Sequence, residues 1–146
     1  FIVDLPVREP SPLKEAKKKL RKAEAKASSR LDMDFIYARE EYLLALRGLK
    51  GSVKGEVQAL AIDDRAMVAL PGEALVNLGL AIKKSSPFPK TFILGYGNGY
   101  LGYIASEEDF KLGGYETRLA RWSFLEAEAY QILLDAAVKA LRSLTD

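Results

Sequence analysis

Ala66-Met67-Val68-Ala69-Leu70-Pro71-Gly72-Glu73, answered further on by Thr91-Phe92-Ile93-Leu94-Gly95-Tyr96, decides the fold class. Residues 66–70 form an unbroken apolar run of strand length, suited to burial on both faces. Pro71-Gly72-Glu73 punctuates it. Residues 73–84 then read as a helix carrying Leu75, Leu78, Leu80 and Ile82. Ser85-Ser86-Pro87-Phe88-Pro89 breaks that helix, and residues 91–96 read as a second buried strand. A strand, a helix and a strand in that order predict two parallel strands joined by a right-handed crossover.

Upstream, residues 1–7 read as a strand ending at Pro6, expected to pair with strands outside this chain. Ser11-Pro12 opens a helix, Ser11 as its cap and Pro12 in its first turn. Its apolar stripe is Leu13, Ala16, Leu20, Ala23 and Ala27. The opposite face is basic, with Lys14, Lys17, Lys18, Lys19, Arg21, Lys22 and Lys26. A second helix runs to about Leu49 on the stripe Phe35, Ala38, Tyr42, Leu46 and Leu49, and Gly48 and Gly51 end it. Together these helices predict an αα-hairpin. Val57, Ala59 and Ala61 then alternate with Glu56, Gln58 and Leu60 as a strand, and Asp63-Asp64-Arg65 turns it back. Downstream, Ser106 caps a short helix ending near Gly113-Gly114, and a last helix covers residues 123–144. The predicted class is α/β: a mixed sheet with a parallel strand-helix-strand unit, preceded by an αα-hairpin and closed by a long C-terminal helix.

Composition bounds the chemistry. The chain has 146 residues, no cysteine and no histidine. Disulfides and cysteine-ligated zinc are excluded, as are the usual general base and the commonest metal ligand. A net charge of +2 does not by itself imply a nucleic-acid partner, and no aromatic residue interleaves the basic helix face, which reads as a solvated face with phosphate binding as the alternative. No apolar run reaches the ~18 residues of a membrane span. The start at Phe1, inside a strand-like segment, leads us to expect the C-terminal part of a larger domain, although a single domain over residues 1–146 also fits.

Sites in open parallel α/β sheets form beyond the carboxyl ends of the strands. Here one end delivers Glu73 and the other Asn98-Gly99-Tyr100-Leu101-Gly102-Tyr103. If the strands are neighbours, Glu73 and the tyrosines share a rim. Alternatively Glu73 sits in the first turn of a helix, favoured there by the dipole, and Asn98-Gly99 is an ordinary turn. Gly97-x-Gly99-x-x-Gly102 also spells a dinucleotide fingerprint, but Tyr100 to Ile104 does not open a helix, so that reading fails.

Leu70-Pro71-Gly72-Glu73, the Asn98 to Tyr103 segment and Gly113-Gly114-Tyr115-Glu116 resemble the neutral/alkaline ceramidase family, especially its shorter bacterial and archaeal relatives. Ser85-Ser86-Pro87-Phe88 and Leu5-Pro6-Val7-Arg8 add to the likeness. The resemblance implies a zinc amidohydrolase whose metal is held by two histidines, a glutamate and a tyrosine. Glu73 matches that glutamate and Tyr103 that tyrosine. Tyr115, twelve residues beyond Tyr103, matches a tyrosine beside the scissile amide. Asn98, Gly99 and Tyr100 would line the pocket. Both histidines would come from an upstream half, so zinc binding and hydrolysis of a small or lipid-like N-acyl amide are expected only when that half is present. By the same resemblance the protein is expected to be cytoplasmic. The competing expectation is a non-enzymatic or degenerate α/β domain used for binding or assembly.

Overall fold

A computed structural model describes residues 1–145. In chain order the elements are β1 (Ile2–Pro6), α1 (Leu13–Glu24), α2 (Met33–Arg47), β2 (Ser52–Glu56), β3 (Gln58–Ile62), β4 (Arg65–Ala69), β5 (Glu73–Ala74), α3 (Val76–Ser85), β6 (Lys90–Leu94), β7 (Tyr103–Ile104), α4 (Glu107–Leu112) and α5 (Glu128–Arg142). The expected α/β class is present, with the αα-hairpin at one end of the order and α5 at the other.

The strand-helix-strand unit forms as the apolar runs imply. β4 pairs in parallel with β6, Ala66 opposite Thr91 and Val68 opposite Ile93, and α3 links them. β3 adds to the other side of β4 as an antiparallel hairpin across Asp63, which takes the left-handed φ of 54° that such a turn needs. The sheet is buried on one face only. Ala66 and Val68 point into the core, but Met67 lies with Leu60, Ile62 and Phe92 in a shallow apolar groove on the outer face. The inner face is covered by α5, whose Ala129, Leu133, Ala136, Ala137, Ala140 and Leu141 are all buried. Leucines meeting alanines let the helix lie close to the strands. The helix begins at Glu128, five residues later than Ser123. The intervening segment is instead held by backbone bonds, Arg8 N donating to Phe124 O and Glu126 N to Pro6 O.

β1 does not wait for a strand from elsewhere. It pairs antiparallel with β2, Leu5 opposite Val53, and Leu5 is fully buried. β2 carries no strand pattern of its own, because Ser52, Lys54 and Glu56 are polar and Gly55 interrupts it. A Cβ at Gly55 would lie 2.8 Å from Leu5 Cδ1, so a side chain there would have to displace that buried leucine.

The αα-hairpin is present, with two corrections. Pro12, not Ser11, occupies the cap position of α1, and Ser11 Oγ instead donates to Glu41 Oε1 at 2.5 Å, joined there by Lys19 Nζ. The first helix is thereby tied to the second by side chains. In α2, capped by Asp32 and ended by Gly48 at φ 64°, the buried residues are Tyr37, Glu40 and Leu44, whereas Leu46 is exposed. The stripe is rotated because counting apolar residues excludes Glu40. Its carboxylate is fully buried, and Arg121 grips it with Nε at 2.7 Å and Nη2 at 3.0 Å. Arg39 adds a contact at 3.3 Å. Burial alone would raise the Glu40 pKa, but the bonds and charges of Arg121 and Arg39 outweigh it and hold the carboxyl below its ordinary value.

This pair generates a prediction. Arg121→Ala strands a buried carboxylate and should cost about 3 kcal/mol in urea unfolding, the low end of the usual range because Arg39 remains beside it. Because the folded-state pKa is depressed, the stabilisation is present above the ordinary carboxylate range and is lost as pH falls through the folded value. Glu40→Gln should therefore show a smaller drop in stability between neutral and acid pH than the native chain. An Arg121→Ala midpoint equal to the native one would refute this account.

Candidate functional site

Three backbone segments meet at the carboxyl end of the sheet. β5 and β7 are parallel, with Glu73 in register with Tyr103 and Ala74 with Ile104. Leu101 N donates to Pro71 O at 2.8 Å and Glu73 N to Gly102 O at 2.9 Å, lacing the two loops together. Tyr103 N donates to Trp122 O at 2.8 Å, adding the third segment. Two glycines permit the approach. Gly102 has a φ of 80°, and a Cβ on it would lie 2.5 Å from Trp122 O. A Cβ on Gly72 would collide with Gly102 O. Glu73 is therefore a strand residue, and α3 starts only at Val76. The dipole explanation of Glu73 does not apply.

Register in a parallel pair sends partnered side chains to the same face. Glu73 and Tyr103 consequently project together, and tyrosines surround them. Tyr100 donates from its hydroxyl to Glu73 Oε1 at 3.2 Å. Tyr96 stacks on Tyr100 with ring centroids 5.5 Å apart. Tyr115 meets Tyr103 edge-on at 5.9 Å and stacks on Trp122 at 5.3 Å. The rim is open: Tyr96, Tyr100 and Tyr115 are each about half exposed.

Glu73 organises the electrostatics. The Tyr96 phenol is pushed up to about 12, first by the Glu73 carboxylate beside it and then by burial. Tyr103 is also pushed up to about 12, first by burial and then by the nearby Glu73 carboxylate. Tyr100 and Tyr115 are raised as well, burial leading in both. The phenols are thus held neutral beside one carboxylate, to which Tyr100 donates its hydroxyl proton.

The sequence-derived residues separate into two groups. Glu73, Tyr100, Tyr103 and Tyr115 converge. Asn98 and Gly99 do not: the Asn98 amide donates to Gln58 Oε1 at 3.2 Å, and Gly99 stands in open space. Three residues without an assigned role belong with the site. Tyr96 holds a left-handed φ of 59°, a strained conformation for a bulky residue costing on the order of 1 kcal/mol, and its N–H is anchored to Gly72 O at 3.1 Å. Trp122 backs Tyr115, and its indole N–H is buried without a partner. Arg8 fixes the loop bearing Tyr115, donating from Nη1 to Thr117 O at 2.7 Å and from Nη2 to Ser123 O at 2.5 Å. Ser123 Oγ in turn donates to Glu116 O at 2.6 Å. The position of Tyr96 directly after a strand end was the available signal. Arg8 lay in the Leu5-Pro6-Val7-Arg8 segment of the resemblance without a role attached, and Trp122 offered no signal, being remote in sequence.

The donors suit one side of a zinc site. A carboxylate and a phenol share a face, and a dication would favour loss of the phenol proton that Glu73 now disfavours. Among the described residues no three carboxylates, histidines or cysteines converge, so a full ligand set would need two more groups. Compared with protein-family profiles, with curated proteins and with solved structures, the chain matches none. None of its helices is long and apolar enough to cross a membrane, among the described residues.

The shifts predict a measurable titration. Tyrosine ionisation followed by ultraviolet absorbance should include a component near pH 12, and Glu73→Gln should move that component towards the ordinary phenol range. The raised folded values mean that this part of the stability is present below pH ~10 and is lost as pH rises through them. A titration indifferent to Glu73→Gln would show that the carboxylate does not control the phenols.

Proposed function

We propose that the rim around Glu73 is the carboxylate-and-phenol half of a zinc-dependent amidohydrolase site, active when two histidine ligands are supplied from outside these residues. One observation carries the reading: Glu73 and Tyr103 stand in register on adjacent parallel strands, with Tyr115 against Tyr103. These are the residues that the resemblance to neutral/alkaline ceramidases assigns to the metal and to the scissile amide.

Bound zinc would polarise an amide carbonyl and acidify a water. The chain's own residues have distinct tasks. Glu73 and Tyr103 would hold the metal from one side. Tyr115, neutral and fixed between Tyr103 and Trp122, can donate its hydroxyl proton in a hydrogen bond to the substrate oxygen as negative charge develops there. Trp122 and the Arg8 contacts keep that phenol in place. Tyr96 and Tyr100 offer flat apolar faces at the rim, suited to an acyl chain or another extended apolar group. The site lies open, as a surface completed by a further segment would.

Two measurements test the reading. Calorimetry with zinc and the 146-residue chain should show no tight stoichiometric binding, because one carboxylate and neutral phenols cannot offset dehydration of the ion. In a protein that also contains the histidine pair, Glu73→Ala and Tyr103→Phe should lose metal, whereas Tyr115→Phe should retain it and lower kcat about a hundredfold. Full activity in Tyr103→Phe, or unchanged kcat in Tyr115→Phe, would sink the assignment and favour a non-catalytic binding domain.

A further inference from the structure

We infer that the αα-hairpin docks the protein on an anionic lipid surface, through the outer face of α1 and the hairpin tip. The inference is independent of the zinc reading. Charge segregation is its first support. Residues 14–30 contain eight cations and two carboxylates, a net of +6 in a chain of +2, so the rest of the chain sums to −4.

The cations are ordered in space. Lys14, Lys18, Lys22 and Lys26 recur at every fourth residue, and Lys17 and Arg21 form a parallel row beside them. Within α1, Lys14, Lys18 and Lys22 face one another at that spacing, as do Lys17 and Arg21, and like charges there destabilise a helix; Lys26 lies in the turn just beyond. Among the described residues, only Lys19 of the eight is in an ion pair, with Glu15 at 4.0 Å and Glu41 at 3.0 Å. Asp32 and Asp34 share a shallow cleft with Lys19, Lys22 and Lys26, but both are engaged. Asp32 caps α2, and Asp34 faces Arg118 at 3.8 Å. The opposite side of α1 is packed on α2, with Ala16 fully buried, so the rows face outward. Apart from Lys19, these cations have no ion-pair partner among the described residues, and their mutual repulsion is relieved only in part.

Apolar residues at the tip select the partner. Leu31, in the turn after Arg30, is 82% exposed, Met33 at the start of α2 is 51% exposed, and Leu13 at the other end of the row is 44% exposed. A bilayer interface takes both kinds of group, the cations at headgroup phosphates and the apolar side chains among the upper acyl carbons. A nucleic acid would use aromatic rings between the cations, and residues 13–31 contain none. Exposed leucine and methionine would gain nothing on a phosphate backbone.

Flotation with vesicles tests this on the whole chain. It should bind vesicles of phosphatidylcholine containing about 30 mol % phosphatidylserine and not vesicles of phosphatidylcholine alone. The triple change Lys14→Gln, Lys18→Gln and Lys22→Gln should lower partitioning about a hundredfold, near fivefold per lysine. Leu31→Asp should abolish the part of the binding that survives high salt. Circular dichroism confirms that each variant is folded, and Lys17→Gln with Arg21→Gln on the same face serves if the triple variant is not. Equal binding to both vesicle types, no binding to either, or binding to a DNA oligonucleotide that outcompetes the anionic vesicles would each overturn the inference.

Discussion

The structure turns on a place where three stretches of backbone come together with no space for side chains. Gly72 lies against Gly102, and Gly102 against the carbonyl of Trp122. Hydrogen bonds between main chains need backbones about 5 Å apart, and a Cβ at either glycine would push them beyond that. Everything at the candidate site follows from this approach. It sets Glu73 in register with Tyr103, carries the Tyr100 hydroxyl to the carboxylate, and brings the segment after α4 close enough for Trp122 to back Tyr115.

A second constraint joins the two halves of the chain. The buried Glu40 carboxylate on α2 is reached by Arg121 from the segment that also bears Trp122. A buried ion pair adds little net stability, because desolvation consumes most of the attraction, but a missing partner is costly. Its effect is therefore on arrangement: α2 is oriented with Tyr37 towards Trp122, at 6.2 Å and a tilt of 57°. The αα-hairpin that presents a basic face to solvent is thus linked, through Glu40 and Tyr37, to the back of the aromatic rim.

The rim sets neutral phenols around the Glu73 carboxylate, with Tyr100 bonded to it directly. Each phenol is raised in pKa by burial or by Glu73, so the cluster keeps its hydroxyl protons. A positive charge placed at the carboxylate would reverse that preference. The strain at Tyr96 belongs to the same design, since a left-handed tyrosine persists only where its surroundings fix it.

The amino-acid sequence alone determined the class of the fold. Apolar runs at residues 66–70 and 91–96, with a helix between, define two parallel strands, because alternation and its absence depend only on local residue order. Ser106 specifies its helix start for the same reason, and in the structure Asp109 completes a capping box with it. The neighbourhood of Glu73 and the tyrosines was also legible, as the outcome of topology. What tertiary structure decided are the features whose cause lies far along the chain. β2 was hidden because its partner β1 is some fifty residues away and supplies the pattern that its own residues lack. The stripe on α2 was rotated because Glu40 can be buried only when Arg121 arrives, 81 residues later. Asn98 left the cluster for Gln58, and Trp122 and Arg8 joined it, through contacts that no spacing encodes. Local order is written in neighbouring residues, whereas burial of a charge and convergence of loops depend on which distant groups the completed packing brings within bonding distance.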